Sequence, residues 1–296
     1  MESTLPHEPP AAWSIRSILG VFKLRIGFVI TFTALAGLAV TSGPNLDGWQ
    51  FVALCYAVAV SSACAGAFNQ YYEYDIDPLM SRTKKRAFAT GKFQRSPIWL
   101  VVIGALLVTS VAAAWLALNA WTAIYTFLGA FFYAIVYTVW LKRRTWLNIV
   151  IGGLAGSWAV LAGAAAVGAQ NDPVPLALAF VLFLWTPPHF WSLAVAFRDD
   201  YAAAGVPILP VVVGDERAAK VIFASTLLLV AASFLPAVVG LGTTYVAGAA
   251  VGGLFFILKA WQLSRNPNRQ TAMACFHASL FQLTLLLIAA IVDARF

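Results

Sequence analysis

The sequence predicts an all-α, polytopic membrane protein of about nine transmembrane helices. Three observations predict it. Of the 296 residues, 61% are hydrophobic and 10% are charged, where soluble domains carry roughly 25% charged residues; a surface this apolar needs lipid as part of its solvent. The apolar residues fall in runs of about twenty without alternation, which suits membrane-spanning helices and not barrel strands. The loops between the runs alternate between cation-rich and cation-free.

The elements follow in chain order. Residues 1–20 form a polar tail, Pro-rich over Met1 to Trp13 and without a signal-peptide pattern. Spans are expected at 25–43, 48–68, 97–118, 120–141, 146–169, 174–197, 219–240, 244–262 and 275–292. The first is retained because further spans follow it. Spans 2 and 9 hold Cys55, Cys64 and Cys275, which lack any CxxC or metal spacing and read as small buried hydrophobes. Span 6 contains Pro187 and Pro188, which free backbone carbonyls and kink the helix. The long connections follow spans 2 and 6. Spans 1–4 and 5–8 therefore read as two related four-helix units with span 9 added, in a single domain over 1–296.

Charge sets the orientation. Eighteen of the nineteen Lys and Arg residues lie on one side: Arg16, Lys23 and Arg25 before span 1, six between Arg82 and Arg95, Lys142 to Arg144, Arg198 to Lys220, and Lys259 to Arg269. Arg295 is the exception, and the segments 44–47, 119, 170–173 and 241–243 carry none. This predicts a cytoplasmic (inner) membrane protein with its N-terminus in the cytoplasm and its C-terminus outside. The net charge of +7 thus reflects the lipid bilayer as partner, not nucleic acid. An anionic substrate is a second use for the same cations.

Three polar clusters can carry chemistry. The first is Asn69-Gln-Tyr-Tyr-Glu73-Tyr-Asp75-Ile-Asp77-Pro78, at the cytoplasmic end of span 2. At about 100° per residue, Asn69, Glu73 and Asp77 share one helical face and Asp75 points away from it. Pro78 marks the end. Oxygen ligands in a row suit Mg²⁺ together with substrate phosphates. The basic run Arg82-Thr-Lys84-Lys85-Arg86 follows at once and supplies cations for a diphosphate; on its own it would read as membrane anchoring. The second cluster, Arg198-Asp199-Asp200-Tyr201, ends span 6 and offers carboxylates for a second metal, or an interfacial charge pair. The third is Trp185-Thr-Pro-Pro-His189-Phe-Trp191. His189 reads either as an imidazole bonded to a freed carbonyl or as a substrate contact, with iron ligation as one form of it. His277 reads as packing and His7 as an inert tail residue. Lys142-Arg143-Arg144, at the opening of span 5, reads as membrane anchoring, with Lys142 also a candidate diphosphate contact.

These motifs resemble the UbiA superfamily of intramembrane prenyltransferases, whose first signature is similar to Asn69-xxx-Glu73-xxx-Asp77 with Arg82-Thr and Lys85-Arg86. Leu141 to Thr145, Asn148 to Gly153, Trp185 to Trp191, Asp199 to Tyr201 and Ala204 to Pro210 look like the protoheme IX farnesyltransferase (haem O synthase) branch. The resemblance implies nine helices around a central cavity opening to lipid. It implies Mg²⁺ on Asn69, Glu73, Asp77, Asp199 and Asp200, and diphosphate contacts from Arg82, Lys85, Arg86 and Lys142. It also implies farnesyl diphosphate as donor and haem B as acceptor, with His189 and Tyr201 in the substrate site, and contact with haem A synthase or terminal oxidase assembly. The sequence departs from the pattern at Glu73, where Asp is common, at Arg86-Ala-Phe-Ala89, where prolines are usual, and at Ser157 to Ala162. A quinone precursor or another tetrapyrrole therefore stays open as acceptor. A transporter would place its charges near the midplane. A haem-carrying subunit would leave the acidic rows without a role.

Overall fold

The computed structural model describes residues 14–295, leaving out the side chain of Arg16; His7 and Phe296 fall outside this range. A short helix α1 (Ile15–Val21) precedes α2 (Leu24–Ala39), an apolar helix shorter than the expected first span. Eight stretches among the described residues are long and apolar enough to cross a membrane. They comprise α3 (Gly48–Tyr72), α4 (Pro97–Ala117), α5 (Ala120–Phe131) continued by a π-helix (Phe132–Leu141), and α6 (Asn148–Gly152) continued by α7 (Leu154–Ala165). α8 (Pro173–Ala196) is followed by the short helices α9 (Arg198–Ala203) and α10 (Leu209–Val213). α11 (Asp215–Ala232) with α12 (Leu235–Val238), α13 (Thr243–Arg265) and α14 (Arg269–Asp293) complete the chain. The protein is an all-helical integral membrane protein, and the nine expected spans correspond to these eight and α2.

Local sequence explains the ends. Ser96, Asn119, Asp172 and Asn268 cap α4, α5, α8 and α14 by accepting from backbone N–H groups. Proline stands at the start of α4 and α8, where its missing donor costs nothing.

Small residues let the helices approach closely. α2 packs on α7, the first helices of the two expected four-helix units. A Cβ on Gly163 would lie 1.8 Å from the Ala34 carbonyl oxygen, and one on Gly37 2.1 Å from that of Val160. Backbone thus meets backbone, the contact that small residues permit between membrane helices. The largest buried cluster joins α8, α11, α13 and α14, with Tyr245, Phe256, Leu178 and Leu286 fully buried.

The loop after α3 is held by aromatic packing. Phe88 lies edge-on to Tyr71 and Trp99, at 5.6 and 5.3 Å, and Arg95 covers the faces of Tyr71 and Tyr74. The two prolines missing from Arg86-Ala-Phe-Ala89 therefore do not leave the loop unsupported. The loops after α3 and α8 also meet. Ser81 donates from its N–H and its hydroxyl to Asp200, and Arg82 donates to the Tyr201 hydroxyl.

Candidate active site

Asn69 is buried in the last turn of α3 and faces the same cavity as Glu73. The helix ends at Tyr72, yet i→i+4 bonding runs on from Glu73 N–H to Asn69 and from Asp77 N–H to Glu73. The register that the sequence suggested therefore persists past the helix end. Glu73 and Asp77 are each 1% exposed and Asn69 is 2% exposed. Asp75 points outward, 43% exposed at its side chain, and pairs with Arg143.

Each buried oxygen group meets a cation from another element. Lys23 donates to Asn69 Oδ1 at 2.8 Å, Lys142 to Glu73 Oε1 at 2.5 Å, and Arg86 Nη1 to both oxygens of Asp77 at 2.8 and 2.9 Å. Arg86 also stands 3.8 Å from Glu73 Oε2. That oxygen is buried and has no hydrogen-bond donor. Burial raises the pKa of Asp77, against the lowering effect of Arg86. Burial lowers that of Lys23, and the neighbouring Arg86 lowers it further.

Lys23 reaches this position because its backbone is left-handed, with φ of 48°, a conformation that is uncommon outside glycine. The residue is half-buried, while its ammonium sits deep between Asn69 and the Tyr133 hydroxyl, 3.4 Å away. The opposite wall is the π-helix. Its i→i+5 bonding brings Tyr133 and Tyr137 into a stack with ring centres 5.6 Å apart, and turns Thr138 inward to accept from Asn69 Nδ2. π-turns often mark functional sites.

These groups line a cavity of about 650 Å³. Six cationic side chains (Lys23, Arg82, Lys85, Arg86, Lys92, Lys142) face it against two carboxylates, Glu73 and Asp77. A second chamber of about 220 Å³ continues from it, sharing Lys23, Ile26, Tyr133, Gly152, Thr186 and Phe190. Its further walls are mainly Ala, Gly, Ile and Val, with Ser61, Ser62 and Thr126 among them.

Most of the expected site residues converge on the larger cavity: Asn69, Glu73, Asp77, Arg82, Lys85, Arg86, Lys142 and Tyr201. The second acidic pair does not. Asp199 is exposed, Asp200 accepts from Ser81, and neither lines the cavity. Among the described residues, no group of three or more His, Cys, Asp or Glu gathers as a ready metal site. His189 also differs from expectation. Thr186 and Phe190, three residues before and one after, line the cavity, and His189 faces α14 instead. There its Nδ1 pairs with the Ser279 hydroxyl at 2.7 Å, and its ring stacks on Trp185 and Phe276. A side-chain hydroxyl and two aromatic faces hold it, in place of a freed carbonyl. His277 is exposed on the outer face of α14. Sequence reasoning took Lys23 as a topological charge and passed over Tyr133 and Tyr137. A lysine immediately ahead of an apolar run was the available signal for the first.

The donor set fits Mg²⁺. All three groups in the row offer oxygen, two are carboxylates, and Glu73 Oε2 is buried without a donor. A cation of that kind on the carboxylates would leave Lys23, Arg86 and Lys142 available to an anion.

The UbiA prenyltransferase family matches residues 30–286. Protoheme IX farnesyltransferase 2 of Paramagnetospirillum magneticum is 54% identical, over 95% of this chain and 97% of that protein. Protoheme IX farnesyltransferase 1 of the same organism is 44% identical, over 95% and 99%. Among solved structures, one of a digeranylgeranylglyceryl phosphate synthase superposes with a TM-score of 0.78 at 19% identity, covering 95% of this chain and 98% of that one. A UbiA homologue from Archaeoglobus fulgidus bound to GPP and Mg²⁺ gives 0.62 at 16% identity, covering 90% and 99%.

Proposed function

Because this chain belongs to the UbiA prenyltransferase family, we propose that it transfers a farnesyl group from farnesyl diphosphate to a vinyl group of haem B, giving haem O. The observation that carries prenyl transfer is the charge imbalance at the end of an apolar chamber: six cations against two carboxylates. Such a site takes a ligand with a highly charged head and an apolar tail. The farnesyl donor and haem acceptor rest on the near-full-length likeness to protoheme IX farnesyltransferases.

Asn69, Glu73 and Asp77 would hold Mg²⁺, which neutralises charge on a diphosphate leaving group. Lys23, Arg86 and Lys142 then turn from the carboxylates to phosphate oxygens, with Arg82 and Lys85 at the rim. Cleavage of the C1–O bond leaves an allylic cation. The terminal vinyl carbon attacks it, water adds to the cation left beside the macrocycle, and the proton that water loses goes to the released diphosphate, which completes the hydroxyethylfarnesyl group. The protein's part is to hold the leaving group and to orient the allylic carbon toward the acceptor. The stacked Tyr133 and Tyr137 and the Phe190 ring give the cavity flat apolar walls suited to a macrocycle.

Asp200 also has a structural part. Asp200 clasps Ser81, which ties the loop carrying Arg82, Lys85 and Arg86 to α9. The two loops lie on the cytoplasmic side of the inner membrane, with the N-terminus and the whole chain acting as one catalytic unit. Contact with haem A synthase or oxidase assembly would serve product delivery.

The deciding experiment incubates purified protein with Mg²⁺, farnesyl diphosphate and either haem B or 4-hydroxybenzoate, with products read by mass spectrometry. Haem O is the expected product. Prenylation of 4-hydroxybenzoate alone overturns the acceptor. Labelling of Lys84→Cys from the cytoplasmic side only is the expected topology result, and periplasmic labelling overturns the orientation.

A further inference from the structure

We propose that the smaller chamber is an apolar sleeve for the prenyl tail, and that Tyr125, backed by Trp158, is the stop that limits the accepted chain to three isoprene units. This rests on the prenyl-transfer reading above and adds a determinant of donor length to it.

Volume separates the two occupants. Sites for drug-sized molecules measure about 300–1,000 Å³. The larger cavity, at about 650 Å³, falls in that range. The chamber of about 220 Å³ is too narrow for a macrocycle and suits a slim chain. Beyond Lys23 at the mouth its side chains carry no charge, and Ser61 donates its hydroxyl to the Thr126 carbonyl.

Depth fits the chain. The chamber opens beside Lys23 and Gly66 and reaches Val58 and Tyr125. From Gly66, at the mouth, to Val58 along α3 is about 12 Å at 1.5 Å per residue. Extended chains advance about 1.2 Å per backbone bond, so a farnesyl main chain spans about 13 Å and a fourth isoprene unit adds about 5 Å. The first matches this depth and the second overruns it.

The far end is aromatic. Tyr125 stacks on Trp158 with ring centres 5.6 Å apart and packs on a buried cluster of Ala34, Leu54, Val58 and Ala162. Phe132 supports Trp158 from the π-helix side. Midway along the wall, a Cβ on Gly156 meets nothing within 4 Å, so a side chain there would project into free space in the sleeve.

The test uses geranyl, farnesyl and geranylgeranyl thiodiphosphates, whose binding needs no acceptor, on wild type, Tyr125→Ala and Gly156→Val in lipid nanodiscs. Tyr125→Ala should raise geranylgeranyl affinity relative to farnesyl by about tenfold or more, the scale on which apolar pockets discriminate chain size. Gly156→Val should weaken farnesyl binding by about tenfold and spare geranyl. An unchanged length preference in both folded variants overturns the proposal. If Tyr125→Ala does not fold, Gly156→Val decides, and equal loss for all three lengths overturns it. A length preference that shifts as expected in a protein that leaves haem B unmodified upholds the sleeve and defeats the acceptor reading.

Discussion

Replacing Glu73 by Gln tests the charge balance of the site more sharply than replacing its partner. Lys23, Arg86 and Lys142 face Glu73 and Asp77, three cations against two carboxylates, a local formal charge of +1. Glu73→Gln raises it to +2, and Lys142→Met lowers it to zero. Removing one partner of a buried pair costs about 3–5 kcal/mol. When Lys142 is lost, Arg86 at 3.8 Å still answers the Glu73 carboxylate, so the cost lies near the lower end, about 3 kcal/mol. When Glu73 is lost, three cations face Asp77 alone, and the cost lies near the upper end, about 5 kcal/mol. At about 2 °C per kcal/mol for a chain of this size, Lys142→Met should lower the unfolding temperature by about 6 °C and Glu73→Gln by about 10 °C. The double variant restores a neutral pair of similar shape and should lose less than the sum of the two. Thermal unfolding in detergent, with and without inorganic diphosphate, reads all four proteins. Metal-free diphosphate should stabilise Glu73→Gln more than wild type, because it supplies the missing negative charge. A larger loss in Lys142→Met than in Glu73→Gln, or strict additivity in the double variant, would refute the reasoning.

Three further outcomes follow from the same geometry. Asp77→Asn should reduce turnover by about a hundredfold or more, while Asp75→Asn, which loses a part-exposed pair with Arg143, should cost at most about 1 kcal/mol of stability and leave turnover near wild type; steady-state kinetics and unfolding together check this. His189→Ala should lower stability through the lost stacking on Trp185 and Phe276, yet leave the absorption spectrum of bound haem unchanged, since the ring faces α14. The third concerns Lys23, whose lowered pKa lies below its unfolded value, so the unfolded chain holds more protons in the interval and stability rises with pH there. Lys23→Met should therefore unfold at a higher temperature than wild type near neutral pH, lose that advantage as pH climbs toward the ordinary lysine range, and be impaired in turnover; a lower unfolding temperature at neutral pH contradicts it.

Much of the acidic row was legible because helical periodicity alone relates Asn69, Glu73 and Asp77, and i→i+4 bonding carries it past the helix end. The opposite direction of Asp75 was legible for the same reason. Lys142, Arg82, Lys85 and Arg86 were legible as cations beside an acidic row, though not which carboxylate each would meet. The membrane class and the alternation of loops were legible because the cost of exposing backbone and charge to lipid acts on composition and run length, which are properties of the chain itself.

The rest depended on contacts between distant residues. Lys23 finds Asn69 46 positions away and Tyr133 110 positions away, and no local pattern encodes a partner at that range. Tyr133, Tyr137 and Thr138 face the site because the chain adopts π-helical bonding over Phe132–Leu141, which shifts side chains off the 3.6-residue period from which a face would be read. Asp200 goes to Ser81, and His189 goes to Ser279, because the loop after α3 packs on α9 and α14 packs on α8, which supplies those hydroxyls. Sequence by itself determined which residues could not stay in lipid unpaired and on which helical face they began. Tertiary structure decided which cation answers which carboxylate and which histidine face is covered, because pairing energy in a low-dielectric interior depends on separations of a few ångström between helices that the chain order does not bring together.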